Sequence, residues 1–468
     1  MGKDNLNHII TVKEIIEITK GTLVVGDENT KVENFRKNTN DVTDGDFYVG
    51  FVGTKNGGIY FEDAFKNGAK GVIIQDVEIN EEQKKKYSDK NIIIVKDVLE
   101  AFQNIAKYKR SLYKDLKIVA VTGSVGKTST KDIIANVLSQ KYKTLKTEGN
   151  YNNHIGVPIT LLSLKDHEVA VVEMGMNHLG EISLLSNLAK PNLCVITNIG
   201  TAHIGILGSR QNILKAKLEI LEGNDEKEIV INNDNDLLNE FGKNCDKKIN
   251  VLTYGIDEKS KVYASNINEN EEFSTFTCHI DNDKFDVKVP VAGRHFIYNA
   301  LCAATVGNKL GLTNEEIKRG IETFKLTKKR MDIDVLNNGV KIINDSYNAS
   351  FESMKASLEN LSRYTGRKIA VLGDMFELGD YSEELHRKVG IEVAKNKIDI
   401  LICAGENSKY IVKAAMENGM DSKNVYYFEN KEEILEKLNK LMEKDDVILF
   451  KASNGMKFFE IVQTLKGE

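Results

Sequence analysis

The stretch that most constrains this chain is Ile118-Val119-Ala120-Val121-Thr122-Gly123-Ser124-Val125-Gly126-Lys127-Thr128-Ser129-Thr130. A β-branched apolar run breaks into two glycines three residues apart, then a lysine and hydroxyl residues, then an apolar periodicity through Ile133, Ile134, Val137 and Leu138. That order reads as strand, phosphate loop, helix. Glycines at 123 and 126 let backbone N–H groups converge on phosphate oxygens with no Cβ in the way, at a helix N-terminus that already favours an anion. Lys127 is placed to reach the β- and γ-phosphates, and Thr128 to offer its hydroxyl to Mg²⁺. Val121 stands where the longer loop pattern has its first glycine, so this is the shorter G-x-x-G-K-T form.

A length of 468 residues predicts about three domains, each large enough for its own core. The pattern divides them at 1–114, 115–325 and 326–468. In the first, Val12, Ile15, Ile16 and Ile18 predict a short helix, and Phe47–Val49, Gly71–Ile74 and Asn91–Val95 predict strands. Helical spacing from Leu99 to Leu112 reads as a connector into the second. There the phosphate loop opens an alternation of strand and helix. Glu168–Glu173 is a strand ending in a carboxylate, Leu193–Asn198 is another, and His203 follows in a Gly-rich loop. Phe273–Cys278 and Phe285–Val289 alternate with period two, as a hairpin-like insertion would, and helices follow at about 298–310 and 314–324. The third part alternates again, with strands at Lys341–Asn344, Lys368–Leu372, Asp399–Ile402 and Asp446–Phe450, the signature of a doubly wound α/β domain.

The charge balance is near neutral, 64 Lys+Arg against 69 Asp+Glu for a net −5, so nothing global suggests nucleic acid or an anionic membrane as partner. Five scattered cysteines without a C-x-x-C fit a reduced, cytosolic setting. Met1–Asn7 leads into no apolar signal-like run, and no stretch of 18 apolar residues follows, so neither secretion nor membrane insertion is expected.

Carboxylate and imidazole at neighbouring strand ends can each hold a divalent ion beside the phosphate loop, which makes Glu173 and His203 candidates for an ATP–Mg²⁺ site. Glu173 alone also reads as a strand-end surface acid. Lys217 falls in a predicted helix from Ser209 to Glu222 with Lys215 and Glu219, and by composition that face is solvated. Asn299, after Arg294 and His295, offers an amide that could read an adenine edge. Arg330 near the second domain joint could reach a γ-phosphate once the third domain closes, or be one more basic residue in Lys328-Lys329-Arg330.

Taken together, Thr122 to Ser129, Gly149 to Pro158, Glu173-Met174-Gly175-Met176-Asn177-His178, Ala202-His203, Lys215-Ala216-Lys217, Gly293-Arg294-His295 with Asn299, and Asp345-Ser346-Tyr347-Asn348-Ala349 follow the order of the Mur ligases. The chain resembles that family over nearly its whole length, most strongly from Ile118 onward. The Asn-Asn-x-Ile-Gly-x-Pro and Asp-Ser-Tyr-Asn-Ala segments, with Gly373-Asp374-Met375-Phe376-Glu377-Leu378-Gly379, look most like the branch that adds D-alanyl-D-alanine to UDP-N-acetylmuramoyl-tripeptide. The resemblance implies three α/β domains: a small N-terminal UDP-substrate domain, a central phosphate-loop domain with a parallel sheet, and a C-terminal Rossmann-like domain. It implies ATP and two Mg²⁺ ions as cofactors, an acyl-phosphate mechanism, and a cytoplasmic monomer.

The resemblance also implies roles by matching position. Gly123, Ser124, Val125, Gly126, Lys127, Thr128 and Ser129 bind phosphates. Thr128 and Glu173 hold one Mg²⁺. His203 and a carbamylated Lys217 hold the second, against the compositional reading of Lys217. Asn299 contacts adenine, Arg330, Asp345 and Asn348 complete the nucleotide site, and Thr39, Asn152, Asn153, Lys451 and Ser453 meet the substrates. Departures matter most in the first domain, where Asn38-Thr39-Asn40 replaces Asp-Ser/Thr-Arg and Gly57-Gly58 replaces Asp-Gly; further on, Phe296 replaces an asparagine that often follows His295, and Lys451-Ala452-Ser453-Asn454 replaces Lys-Gly-Ser-Arg. The altered triplet keeps open a paralogue acting on another carboxylate (pseudomurein or folylpolyglutamate type), and a further alternative is a non-catalytic ATP-binding protein, against which the retained Lys127, Glu173, His203 and Lys217 argue.

Overall fold

The computed structural model describes residues 8–257, 259–325 and 331–467. Its helices pack on three large sheets of five, nine and six strands, with a two-stranded ribbon at the start. This is the mixed α/β architecture expected of the sequence.

The nine-stranded sheet positions the phosphate loop. Lys117–Thr122 lies between Val169–Glu173 and Leu193–Ile196, all parallel. Ile118 to Val121 are buried on both faces, as a near-continuous apolar run in a helix-covered parallel strand must be. The helix Lys127–Leu138 buries Ile133, Ile134, Val137 and Leu138 and packs on the helices Arg294–Lys309 and Asn314–Glu322. At the second crossing Gly320 comes so near that an added Cβ would sit 2.4 Å from the Val137 Cα. The period-two segments form a hairpin, Ser274–Ile280 with Asp283–Val289, that continues the same sheet by antiparallel pairing. Strands at Thr144–Lys146, Glu228–Asn232, Asn250–Gly255 and Val262–Glu269 complete it.

In the six-stranded sheet the order is Asp332–Val335, Lys341–Asn344, Val447–Lys451, Lys368–Gly373, Ile400–Ala404 and Val425–Phe428, parallel except at the first strand. In the first sheet, four strands run parallel from Phe35–Arg36 to Asn91–Ile94, and Thr22–Val25 closes the edge antiparallel. The helix Val98–Ser111 packs on both the helix Val12–Thr19 and the central helix Gly156–Leu162, so it joins the first core to the second.

Asp46 anchors the first sheet's leading loop. It is almost fully buried and accepts from Arg36 Nε at 2.7 Å, Thr43 N at 3.0 Å, Thr43 Oγ1 at 2.8 Å and Asn34 Nδ2 at 3.1 Å. Burial alone would raise its carboxyl pKa, but the Arg36 and Thr43 bonds outweigh that and hold it below the ordinary aspartate value. Such a group stabilises the fold above the unfolded pKa of about 4, and its contribution is lost as pH falls through the lower folded value. Asp46→Asn is expected to cost about 1–3 kcal/mol at pH 7. In denaturant titrations the gap between wild type and variant should shrink below about pH 4; a gap independent of pH would contradict the charge-based account.

Candidate active site

Parallel register gathers the strand ends. Glu173 lies opposite Val121, and Ile196 opposite Thr122, so the loop leaving Thr122 is flanked by Glu173 on one side and by Thr197 and Asn198 on the other. Gly123 has φ +151°, and an added Cβ would fall 1.9 Å from Thr197 Oγ1. Gly126, at φ +80°, caps the helix Lys127–Leu138. Asn198 holds the loop open. Its carbonyl accepts from Ser124 N at 3.0 Å, its Oδ1 accepts from Val125 N at 3.0 Å, and its Nδ2 donates to Val125 O at 3.1 Å. Thr197 Oγ1 also donates to Val125 O, at 2.7 Å. Lys127 Nζ donates to Gly123 O at 2.8 Å, so the lysine curls over its own loop.

Glu173 is 1% exposed, which overturns its reading as a surface acid. Its Oε1 accepts from Asn152 Nδ2 at 2.8 Å, and its Oε2 has no hydrogen-bond partner among the described residues. A buried carboxylate oxygen left in that state is costly unless a cation or donor completes it. Asn153 serves the backbone, its Oδ1 accepting from Ile155 N and Gly156 N where the helix Gly156–Leu162 begins.

Lys217 is 2% exposed, so the solvated face read from composition is wrong. The helix Arg210–Leu218 turns Ile213, Ala216 and Lys217 inward and leaves Lys215 in solvent. No carboxylate pairs with Lys217 among the described residues. Burial, then the nearby Lys127 charge, push its pKa well below the ordinary lysine value, which favours the neutral amine. His203 holds a left-handed backbone at φ +64°, and its Nδ1 lies 2.5 Å from Glu377 Oε2 of the third sheet's region. Burial and the Lys127 charge lower its pKa, with Glu377 acting the other way.

The remaining candidates divide. Asn299 Oδ1 accepts from Thr130 Oγ1 at 3.0 Å beside the phosphate loop, while its buried Nδ2 lacks a partner among the described residues. Asp345 Oδ2 accepts from Ser357 Oγ at 2.7 Å and pairs with Lys451, whose ammonium also reaches Asp345 O and Asn348 O. Lys451 thus holds the Asp345–Asn348 loop at the wall of the cavity. Ser453 is buried too, its Oγ accepting from Phe376 N at 2.8 Å, and it anchors a loop rather than facing the cavity. Thr39 lies in a short 3₁₀ turn with its carbonyl on Asn67 Nδ2, away from the cavity. Arg330 lies outside the described residues.

The phosphate loop, Asn152, Asn153, Glu173, His203, Asn299, Asp345, Asn348 and Lys451 line one cavity of about 900 Å³ between the second and third sheets, and Lys217, which is not part of that lining, lies near enough to Lys127 and His203 to feel their charge. Sequence reasoning missed Asn198, Glu352 and Glu377. Thr201 Oγ1 donates to Glu352 Oε2 at 3.0 Å, from the start of the helix Phe351–Leu361, so that helix also docks beside the loop. Among the described residues no three His, Cys, Asp or Glu side chains gather as a metal cluster. A Mg²⁺ ion here would draw on hydroxyl, phosphate and water oxygens, which suits its chemistry.

Fold and site together define a phosphate-loop nucleotide enzyme whose cavity is completed by a second α/β sheet. Residues 121–307 match the Mur ligase middle domain, and residues 329–454 match the Mur ligase, glutamate ligase domain. The chain belongs to the Mur ligase family. It is 37% identical over 463 residues to the UDP-N-acetylmuramoyl-tripeptide–D-alanyl-D-alanine ligase of Bacillus subtilis (strain 168), covering 97% of this chain and 98% of that protein. A crystal structure of MurF from Acinetobacter baumannii superimposes with a TM-score of 0.87 at 27% identity, covering 99% of this chain and 100% of that one. The MurF ligase of Thermotoga maritima in complex with ADP does so with a TM-score of 0.79 at 28% identity, covering 93% of this chain and 97% of that one.

Asn198→Ala removes two side-chain hydrogen bonds from the loop. Nucleotide affinity, read by calorimetry, is expected to fall roughly tenfold with the fold retained. Unchanged affinity would mean that the glycines alone shape the loop.

Proposed function

We propose that the chain is an ATP-dependent amide ligase that extends UDP-N-acetylmuramoyl-tripeptide by D-alanyl-D-alanine through an acyl phosphate, in cytoplasmic peptidoglycan precursor synthesis. The observation that carries the chemistry is one cavity holding a phosphate loop and an oxygen of Glu173 that has no partner among the described residues, with the buried Lys217 amine close to Lys127 and His203. The substrates come from the name of a relative that matches over nearly its full length.

The reaction divides into two displacements. A carboxylate oxygen of the tripeptide attacks the γ-phosphorus of ATP and the bond to the β-bridging oxygen breaks, releasing ADP. The dipeptide amine then attacks the acyl carbon, loses a proton, and the tetrahedral intermediate expels phosphate as its C–O bond breaks. Lys127 and the N–H groups of the phosphate loop offset charge on the transferring group. Mg²⁺, when bound, neutralises phosphate charge and polarises the reacting oxygens. Thr128 and Glu173 would hold one ion, Asn152 fixing one Glu173 oxygen and leaving the other to the cation. A neutral Lys217 amine can add CO₂ and lose a proton to give a carbamate, an anionic oxygen ligand that would join His203 in holding a second ion.

In this reading residues 1–114, Thr39 among them, bind the UDP substrate, residues 115–325 hold the nucleotide, and residues 326–468 close over it with Asp345, Asn348 and Arg330. Asn299 Nδ2 is the donor offered to the nucleotide. Asn152 and Asn153 stand at the boundary with the tripeptide, and the chain acts as a monomer.

The test is phosphate release with UDP-muramoyl tripeptides, with and without D-Ala-D-Ala, and product mass read in parallel. A product heavier by the dipeptide less one water, formed only when all substrates are present, is expected. No product from protein that still binds ATP would overturn the substrate assignment and turn the altered Asn38-Thr39-Asn40 triplet into its explanation. Lys217→Ala should lower turnover about a hundredfold or more and recover part of it with added short carboxylates. No recovery at any concentration would contradict the carbamate.

A further inference from the structure

The segment Gly373 to Gly379 is one of the chain's family-like motifs, yet the ligase chemistry assigns Glu377 nothing. We infer that Glu377 is a positioning residue for His203, so that docking of the third domain and orientation of this imidazole are a single event. The inference rests on the ligase reading only for what His203 then does.

The geometry is specific. Glu377 Oε2 meets His203 Nδ1 at 2.5 Å, and the same residue's carbonyl accepts from Gly205 N at 3.0 Å, two residues past the imidazole. Tyr381 OH donates to Gly208 O at 2.7 Å. Between these bonds the two backbones touch, because a Cβ on Gly205 would lie 2.4 Å from Gly379 N. Both partners hold conformations that L-residues rarely adopt, His203 at φ +64° and Glu377 at φ +62°. Each is kept there by the loop it meets, so their side chains are aimed at one another by backbone rather than by an exposed ion pair alone.

An imidazole that gives its Nδ1–H to a carboxylate keeps its Nε2 lone pair for a ligand, and the carboxylate also makes that nitrogen a better donor. Here the carboxylate belongs to another domain. With the third domain away, His203 loses both its tautomer-setting partner and the Gly205 contact that holds its loop. The second cation site is therefore completed when the domain that closes on the nucleotide is seated. A carboxylate supplied across a joint couples closure to metal affinity without touching substrate.

The test uses the full chain with ADP and Mn²⁺, which is paramagnetic and read directly by electron spin resonance. Glu377→Ala is expected to weaken Mn²⁺ binding by about tenfold or more, as loss of such a carboxylate does in other histidine–metal sites. Glu377→Gln, whose amide oxygen still accepts from Nδ1–H, should recover most of it. In a His203→Ala background the Glu377→Ala change should have no further effect, because the residue acts only through the imidazole. In turnover assays the Glu377→Ala loss should fall on kcat rather than on KM for ATP. Equal Mn²⁺ binding in wild type and Glu377→Ala, or additive losses in the double variant, would overturn the inference. Failure of the ligase reading would show differently, as absent product with this Mn²⁺ pattern intact.

Discussion

Everything in this site depends on the parallel register of three strands. Because Val169–Glu173, Lys117–Thr122 and Leu193–Ile196 run the same way, their C-terminal ends emerge together, and the loops that leave them share one small space. The crowding is severe enough that Gly123 has no room for a side chain against Thr197. The same closeness lets Asn198 bond the loop from the neighbouring strand end. A one-residue slip of either neighbour would move the buried Glu173 to the opposite face of the sheet and strip the loop of its support.

Buried polar groups divide by whether the protein satisfies them. The Asp345–Lys451 pair, Asp46 with its four donors, and the Lys131 ammonium on Thr147 O are internally complete, and they brace loops. Among the described residues Glu173 Oε2 and Asn299 Nδ2 have no hydrogen-bond partner and Lys217 no acid; the Asn360 amide and Tyr364 OH, elsewhere in the molecule, also have no hydrogen-bond partner among them. Leaving such groups unmatched costs on the order of 1–3 kcal/mol each. Glu173 and Asn299 line the cavity of about 900 Å³, where a nucleotide and cations would complete them, as in a site that trades stability for binding.

Much of this was legible in the chain. The alternation of apolar runs with helical periods gave the three α/β units, and the strand ends with their polar residues marked the cavity. Lys217 is instructive because its burial was also readable: Ile213, Ala216, Lys217 and Ile220 form an inward stripe at helical spacing, and composition hid what periodicity held. The strands Thr144–Lys146 and Val425–Phe428 escaped because they are short and lie at sheet edges, where alternation is weak. Asn198 and Glu377 escaped for another reason. Their partners lie 73 and 174 residues away, and no local pattern announces a bond across a sheet or a domain joint. The internal bonds of Lys451 and Ser453 were not legible either, because a motif gives an order of residues and not the direction in which a buried ammonium or hydroxyl points.

The central claim is that this arrangement activates a carboxylate by phosphorylation. It is tested most directly by labelling the tripeptide's terminal carboxylate with ¹⁸O and measuring the isotope in released phosphate by mass spectrometry. The account predicts one labelled oxygen in each phosphate formed during ligation, because that oxygen bridges carbon and phosphorus before the amine displaces it. Unlabelled phosphate alongside a ligated product would contradict the acyl phosphate and the reading of the cavity built upon it.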